Sequence, residues 1–579
     1  MKKILALVLI MAVGLAATAF ADDADMTKKI KDLEKRLRKV ERKAATDRVE
    51  FTGDFRFEAH NIHGEVNDYM DGMALQNTMA QAMFYFNATG GLDPDTGMPV
   101  GSLPMTPMGA MDFDALGAFI MANGGNYMAY ANSLTFDGLQ SNMQDLMVAM
   151  AYMNGMDPST MTPEMWAGLQ QGAMEMMAMA PGVVQSGYEY RNQIMYTNRL
   201  RLGMKAKVAD NVNFSGRLSM YKPWGDSTGL QVFNGQSNSL NIDGNTARVP
   251  NSDILRVDRA YFNWTNLFDS SLYLSIGRRP STGGPPMHLR DDEMRAGTPL
   301  GTVIDFQFDG ITAGVDVHEN SKVRLCYGMG YESGFGSAEN LKRPADRLKD
   351  AHFFGVNWDV WSEGDNFVQA TVARAFDVTD GFNGVVVLPH NPVSGDPIGA
   401  PMVMRFTPSA NLGDIDLASL LVMRKWKGFD FFASYSVMKS KPEMVTTPFG
   451  GLFCDPFDTP EEQTGKMVYA GARYAFSNEK TKMGLEYNKG NKYWFNFSHG
   501  ADDLVAPKTG TRGEVWEAYV THRVNKRFVL KLDYMHYAYD YSGSGWHLGA
   551  PKDLDSNPVL GYQTFSKVDQ ITLSTSVRF

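Results

Sequence analysis

From Val49 onward, apolar and polar residues alternate along the chain. Val49, Phe51, Phe55, Phe57 and Ala59 fall on one face, and Glu50, Thr52, Asp54, Arg56, Glu58 and His60 on the other. A period of two predicts a β-strand, and so dense a charged face opposite an apolar one predicts lipid on one side and water on the other. The pattern recurs. Tyr196, Leu200, Leu202, Met204, Ala206 and Val208 oppose Arg199, Arg201, Lys205 and Lys207, and Ala260, Phe262 and Trp264 alternate with Arg259, Tyr261 and Asn263. Tight polar turns at 209–211, 362–365, 425–428 and 477–480 separate long Gly/Pro-rich connections. Alternating short and long links distinguish the two ends of a membrane barrel. The expected fold is all-β, a transmembrane antiparallel up-and-down β-barrel of about 16 strands over residues 49–579. Strand starts are expected near residues 49, 188, 212, 254, 272, 303, 322, 351, 366, 415, 429, 465, 481, 513, 527 and 569. An even count returns both termini to the periplasmic side.

The two ends of the chain carry addresses. Lys2 and Lys3 precede an apolar run from Ile4 to Leu15, followed by Ala19-Phe20-Ala21. That is the form of a signal peptide over 1–21, cleaved before Asp22 to leave 558 residues. No later stretch is apolar for long enough to cross a membrane as a helix. Ile571, Leu573, Thr575, Val577 and Phe579 share a face at the end of the chain. This resembles the C-terminal signature read by the barrel assembly machinery, which makes Phe579 the insertion signal. The expected destination is the outer membrane, reached through the periplasm.

Residues 22–48 read differently. Ile30, Leu33, Leu37, Val40 and Ala44 recur at alternating steps of three and four, an a/d seam. Two units, Lys29 to Glu34 and Arg36 to Glu41, each run basic-apolar-x-x-apolar-Glu and place the charges at g and e. The pattern resembles the short motif of parallel trimeric coiled coils. It assigns Ile30, Leu33, Arg36, Leu37, Val40 and Glu41 to trimerisation and predicts a periplasmic coiled coil in a homotrimer. A lone amphipathic helix is the alternative.

Residues 62–187 interrupt the strand pattern. They hold more than half of the 38 methionines, many Ala and Gly, and almost no Lys or Arg. Thr162 is placed as an N-cap, with Pro163 at the first helical position and Glu164 in the first turn, and the run ends at Pro181-Gly182. By strand order this is a helical, Met-rich extracellular insert in the first loop, a lid, a plug or a binding domain. Thioethers suit Cu(I), but the irregular spacing without Cys or His favours packing.

Composition narrows the function. Aromatic residues make up 12% and hydrophobic ones 44% of a chain with 56 Gly, as alternating lipid- and water-facing positions require. Without the signal the charge is about −12, which argues against nucleic acid. Cys326 and Cys454 are too few for a disulfide scaffold, and both a single bond and two free thiols stay open. There is no His-Glu-x-x-His and no Gly-x-Ser-x-Gly, so no enzyme, cofactor or metal is expected.

Val257 to Trp264, Leu274 to Pro280 and Gly484 to Trp494, together with both termini, resemble the outer-membrane porin superfamily. The nearest likeness is to general-diffusion-type porins with an N-terminal periplasmic coiled coil. The resemblance covers coiled coil and barrel but not the insert. It implies that the third long loop, 280–301, folds inward as a constriction presenting Arg290, Asp291, Asp292, Glu293 and Arg295. Arg199, Arg201, Lys205, Lys207, Arg217, Arg259 and Arg279 are the expected pore-lining basic residues. A basic wall facing an acidic loop sets up a transverse field that favours polar solutes. Wall and acid cluster pull ion preference in opposite directions, so it stays open. The implied function is passive diffusion of small hydrophilic solutes or ions through a bilayer-embedded trimer. The alternative is a barrel that presents or encloses a partner protein, as an adhesin or an electron-transfer sheath; a sheath requires an unobstructed lumen.

Overall fold

The computed structural model describes residues 30–38 and 49–579, except 134–135, 226–251, 308, 335–342, 344–346, 365, 381–383, 391–396, 407, 446, 448–449, 456–457, 499–500, 543–547, 556–557 and 562–563. Residues 30–38 form a helix, α1. Val40 and Glu41, with the signal peptide, lie outside the described residues.

Sixteen antiparallel strands close on themselves. They are β1 (Val49–Val66), β2 (Met195–Ala209), β3 (Val212–Pro223), β4 (Ser252–Trp264), β5 (Tyr273–Arg278), β6 (Asp309–His318), β7 (Ser321–Tyr331) and β8 (Ala351–Glu363). The second half comprises β9 (Asn366–Thr379), β10 (Asn411–Trp426), β11 (Phe429–Pro442), β12 (Thr464–Ala475), β13 (Thr481–Gly490), β14 (Gly513–Asn525), β15 (Phe528–Tyr539) and β16 (Phe565–Arg578). A short strand, Tyr188–Arg191, extends the β2 side of β1 from His63 to Val66. The ring closes where β1 pairs with β16, from Asp54 opposite Arg578 to Val66 opposite Phe565.

Leu200, Leu325, Val372, Leu420, Val468, Leu485, Leu532 and Leu573 point outward and are exposed or half-exposed, the face that lipid covers. Among the described residues no helix is long and apolar enough to cross a membrane. Turns at one end are short. Between β10 and β11, Trp426 pairs with Phe429 across Lys427 and Gly428, whose φ values of 48° and 83° match a two-residue hairpin turn that follows the strand twist.

Four boundaries depart from the sequence pattern, for one reason. β1 runs to Val66, past the expected start of the insert at 62, and β10 and β16 begin four residues earlier than expected, at Asn411 and Phe565. Above the lipid-facing band the polarity inverts: Ile62, Val66, Leu412, Phe565 and Val568 are buried inside, while His63 and Glu65 face out. The sixth strand starts at Asp309, not 303, because Val303, Ile304 and Phe306 are apolar through burial in a loop core.

The insert is a small helical body of α2 (Gly72–Ala88), α3 (Phe113–Ala122), α4 (Gly124–Ser133), α5 (Phe136–Met153) and α6 (Pro163–Ala178). Met83, Phe86, Leu116, Leu146, Met147 and Met177 form its core. Thr162 caps α6 as the sequence predicts, accepting from the Met165 N–H at 3.4 Å. Its stem, Tyr69–Asp71, pairs with Val184–Gln185 and, in parallel, with Val559–Gly561 of the last long loop.

Candidate functional site: the lumen and its inner loops

Two long loops fill the barrel. L3 joins β5 to β6 and L7 joins β13 to β14. L3 folds back tightly on itself: a Cβ at Gly284 would lie 1.9 Å from the Pro299 carbonyl oxygen, so no larger residue fits there. L3 and L7 are zipped together by backbone hydrogen bonds, Asp305 N to Phe497 O at 2.7 Å and Phe497 N to Val303 O at 3.0 Å.

On one side the loops meet an apolar wall. Leu300, Ile304 and Phe306 of L3 and Trp494, Phe495 and Phe497 of L7 pack against inward residues of β8–β12, among them Phe353, Leu417, Phe432 and Tyr469. Phe353 and Phe497 meet edge to face at 4.4 Å. Each of these rings removes a large apolar area from water, so this side anchors the loops.

On the other side the contact is mainly ionic, beside a smaller apolar cluster in which Leu504, Val505 and Ala506 of L7 meet Val515, Met535 and Tyr537. At the L3 tip Asp291 lies 3.2 Å from Lys531 of β15. Asp292 takes Arg473, Lys482 and Arg523 of β12, β13 and β14 at 3.2, 2.5 and 2.5 Å. Glu293 reaches Arg578 of β16 at 3.2 Å. L3 springs from β5, so reaching these inward residues takes it across the lumen. Burial pushes the Asp291 carboxyl up, but Lys531 and Arg290 beside it prevail and hold it at about 2. Burial, with Arg295 and Arg473 nearby, pushes His288 down to about 4. Arg290 bonds Asp503 of L7 at 2.6 Å, and Arg295 stands 3.4 Å from Asp359 of β8.

L7 adds a second set. Lys508, buried, lies 2.5 Å from Glu486 of β13 and also contacts Glu517 of β14. Asp502 reaches the opposite wall, where Arg56 of β1 and Arg199 and Arg201 of β2 surround it. Between L7 and β15, β16, β1 and β3 remains a cavity of about 40 Å³ lined by Glu58, Tyr221, Asp533 and Gln570. That admits only a few water molecules.

A family model described as "Protein of unknown function (DUF3373)" matches residues 189–579, about two thirds of the chain and all of β2–β16. The chain belongs to the DUF3373 family. No curated protein matches it. Among solved structures it is similar to OprB of Pseudomonas putida at high pH, with 9% identity over 93% of this chain and 96% of that one, TM-score 0.39. The outer membrane channel DcaP of Acinetobacter baumannii shares 11% identity over 92% of this chain and 97% of its own, TM-score 0.36. OmpF of Salmonella typhi, in complex with daunomycin, shares 9% over 68% and 93%, TM-score 0.36.

In this DUF3373 protein the cations that meet the L3 acids come from β12–β16, not from the basic residues singled out on β2–β5. The alternation that predicts the basic residues of β2–β5 as inward-facing does not tell which wall a loop will reach. Arg199 and Arg201 instead hold L7, and Arg217 pairs with Asp258. Arg279 bonds Ser275 at 2.8 Å and also Thr312. Arg259 lies opposite Arg217 in the sheet. Lys205 and Lys207 are exposed near the short turns, Lys207 2.6 Å from Asp210. The sequence pattern does not predict L7 as an inner loop; its signal is Trp494, Phe495 and Phe497, three aromatics in a connection between strands, which the lumen buries. Cys326 and Cys454 are unbonded thiols. Among the described residues no group of three or more His, Cys, Asp or Glu is placed to hold a metal.

Proposed function

We propose that this DUF3373 protein is an outer-membrane channel of porin type that passes small hydrophilic solutes passively. The observation that carries the reading is the lumen itself: a charged wall crossed by L3 and L7, whose tips are held by ion pairs that water and solute can replace. Arg290, Asp291, Asp292, Glu293 and Arg295 then shape the constriction. The same crossing loops count against a sheath, which needs a clear bore. Ile30, Leu33 and Leu37 lie exposed on α1 of the single chain, which supports a helix that pairs with copies of itself in a homotrimer. Phe579 serves insertion by the assembly machinery.

Reconstitution of the folded protein in planar bilayers tests this. Ion conductance in steps grouped by three is the expected result. A correctly folded barrel that conducts no ions sinks the proposal, and single ungrouped steps sink the trimer.

A further inference from the structure

Asp502 occupies a built site. Arg56 donates to both of its oxygens, at 2.7 and 3.2 Å, a bidentate fork. Arg199 donates to one of the same oxygens, and the Arg201 guanidinium lies 3.6 Å from it. The side chains of Arg56, Arg199, Arg201 and Asp502 are all less than a tenth exposed. Arg56 and Arg199 stand directly opposite each other on β1 and β2, a like-charge placement that is destabilising unless an anion lies between. The cradle holds two acids of its own: Glu58 lies 3.0 Å from Arg56, and Asp54 3.1 Å from Arg199. Asp502 thus supplies a third carboxylate among the three guanidiniums, beside Glu58 and Asp54. Its neighbour Asp503 is held separately by Arg290.

We propose that Arg56, Arg199 and Arg201 form a carboxylate-binding site in the lumen, with Asp502 as the resident occupant that a permeating monoanion displaces. The inference rests on the channel reading above and names its solute class. The Asp502 carboxylate carries one charge, so an occupant that takes its place is a monoanion, and the planar fork of Arg56 suits a carboxylate. L7 is anchored on either side of Asp502 by apolar packing, by Trp494, Phe495 and Phe497 and by Leu504, Val505 and Ala506, so its course does not depend on the Asp502 contacts. A solute carboxylate offers the guanidiniums the same bonds as Asp502, and because Asp502 is tethered, displacement requires a solute concentration that matches its effective concentration, on the order of millimolar or above.

The test uses the full chain in planar bilayers, with reversal potentials in a potassium chloride gradient and sodium propionate as the added anion. Asp502→Asn is expected to raise the chloride-to-potassium permeability ratio about threefold or more over wild type. Propionate should then reduce its chloride current saturably, and Asp502→Asn with Arg199→Gln should lose that block. A conducting Asp502→Asn channel with an unchanged ratio and no block overturns the carboxylate site and leaves the channel reading intact. Absence of current in every variant, with folding verified by heat-dependent gel migration, overturns both. If Asp502→Asn does not fold, Arg201→Gln decides. Removing the most distant guanidinium must lower the wild-type ratio, and an unchanged ratio overturns the site.

Discussion

The two halves of the lumen hold the same loops by different balances of contact, apolar on one side and largely ionic on the other, where Leu504, Val505 and Ala506 form the smaller apolar cluster. Against β8–β12 the loops bury aromatic and aliphatic side chains. Against β12–β16 and β1–β2 they present carboxylates to lysines and arginines. Apolar contact is strong and indifferent to which partner provides it. Buried ion pairs are costly to break yet contribute little beyond an apolar replacement of the same shape. The apolar contacts therefore fix the course of the loops, and the ionic contacts can exchange partners at their tips.

The largest effect is expected on the apolar side. Trp494, fully buried and donating its indole N–H to the Thr509 carbonyl at 2.7 Å, should cost about 4 kcal/mol when replaced by Ala. Urea unfolding in lipid vesicles measures this, and a loss within experimental error would mean that the aromatic cluster does not anchor L7. Lys508→Met comes next, at about 3 kcal/mol, because Glu486 is left buried without its cation while Glu517 keeps only Arg290 and Lys531, at 3.4 and 3.5 Å. Adding Glu486→Gln should restore most of that stability, since Lys508 is the cation that Glu486 faces. Failure to recover would show that the ionic half also specifies loop position.

A milder change is expected from Asp292→Asn, which frees the L3 tip from three cations at once. Conductance should rise while unfolding is only slightly shifted, and unchanged conductance would remove the L3 tip from the constriction. The pH dependence follows from Asp291. Its folded value, about 2, lies below the ordinary 3.8, so its contribution is complete above 3.8 and fades as pH falls through about 2. Conductance should hold steady from neutral pH down to about 4 and change only below. A transition near neutrality would point to another group. The smallest effect is expected at the exposed pair Lys207 and Asp210, where Asp210→Ala should alter neither unfolding nor conductance.

The wall was legible in the sequence because lipid on one face and water on the other impose a strict period of two. Thirteen of the sixteen strand starts fall within two residues of expectation once β2 is taken to begin with its extension at Tyr188. Legibility failed where that contrast disappears. Ile62 and Val66 are inward and apolar because loops replace water beside them, so the alternation continues with its sign reversed. The ionic partners of L3 stayed hidden for a different reason. Asp292 meets Arg473, Lys482 and Arg523 roughly 180 to 230 residues away in sequence, and no periodicity encodes which side of a cylinder a loop approaches.

The β1–β16 joint has a consequence in time. These strands are the furthest apart in sequence, so closing them carries the largest loop entropy and belongs late in folding. The joint is fastened at both extremities. At the short-turn end Gly53 and Phe579 exchange backbone hydrogen bonds at 2.8 and 2.9 Å, and the phenyl ring covers the space where a Cβ on Gly53 would sit. At the far end Lys567 reaches Glu65 at 3.1 Å, and the stem of the insert is laced to the last loop. Neither extremity is a loose edge from which the cylinder can peel. Once shut, it should reopen slowly, and its persistence in the membrane is a matter of rate as much as of equilibrium.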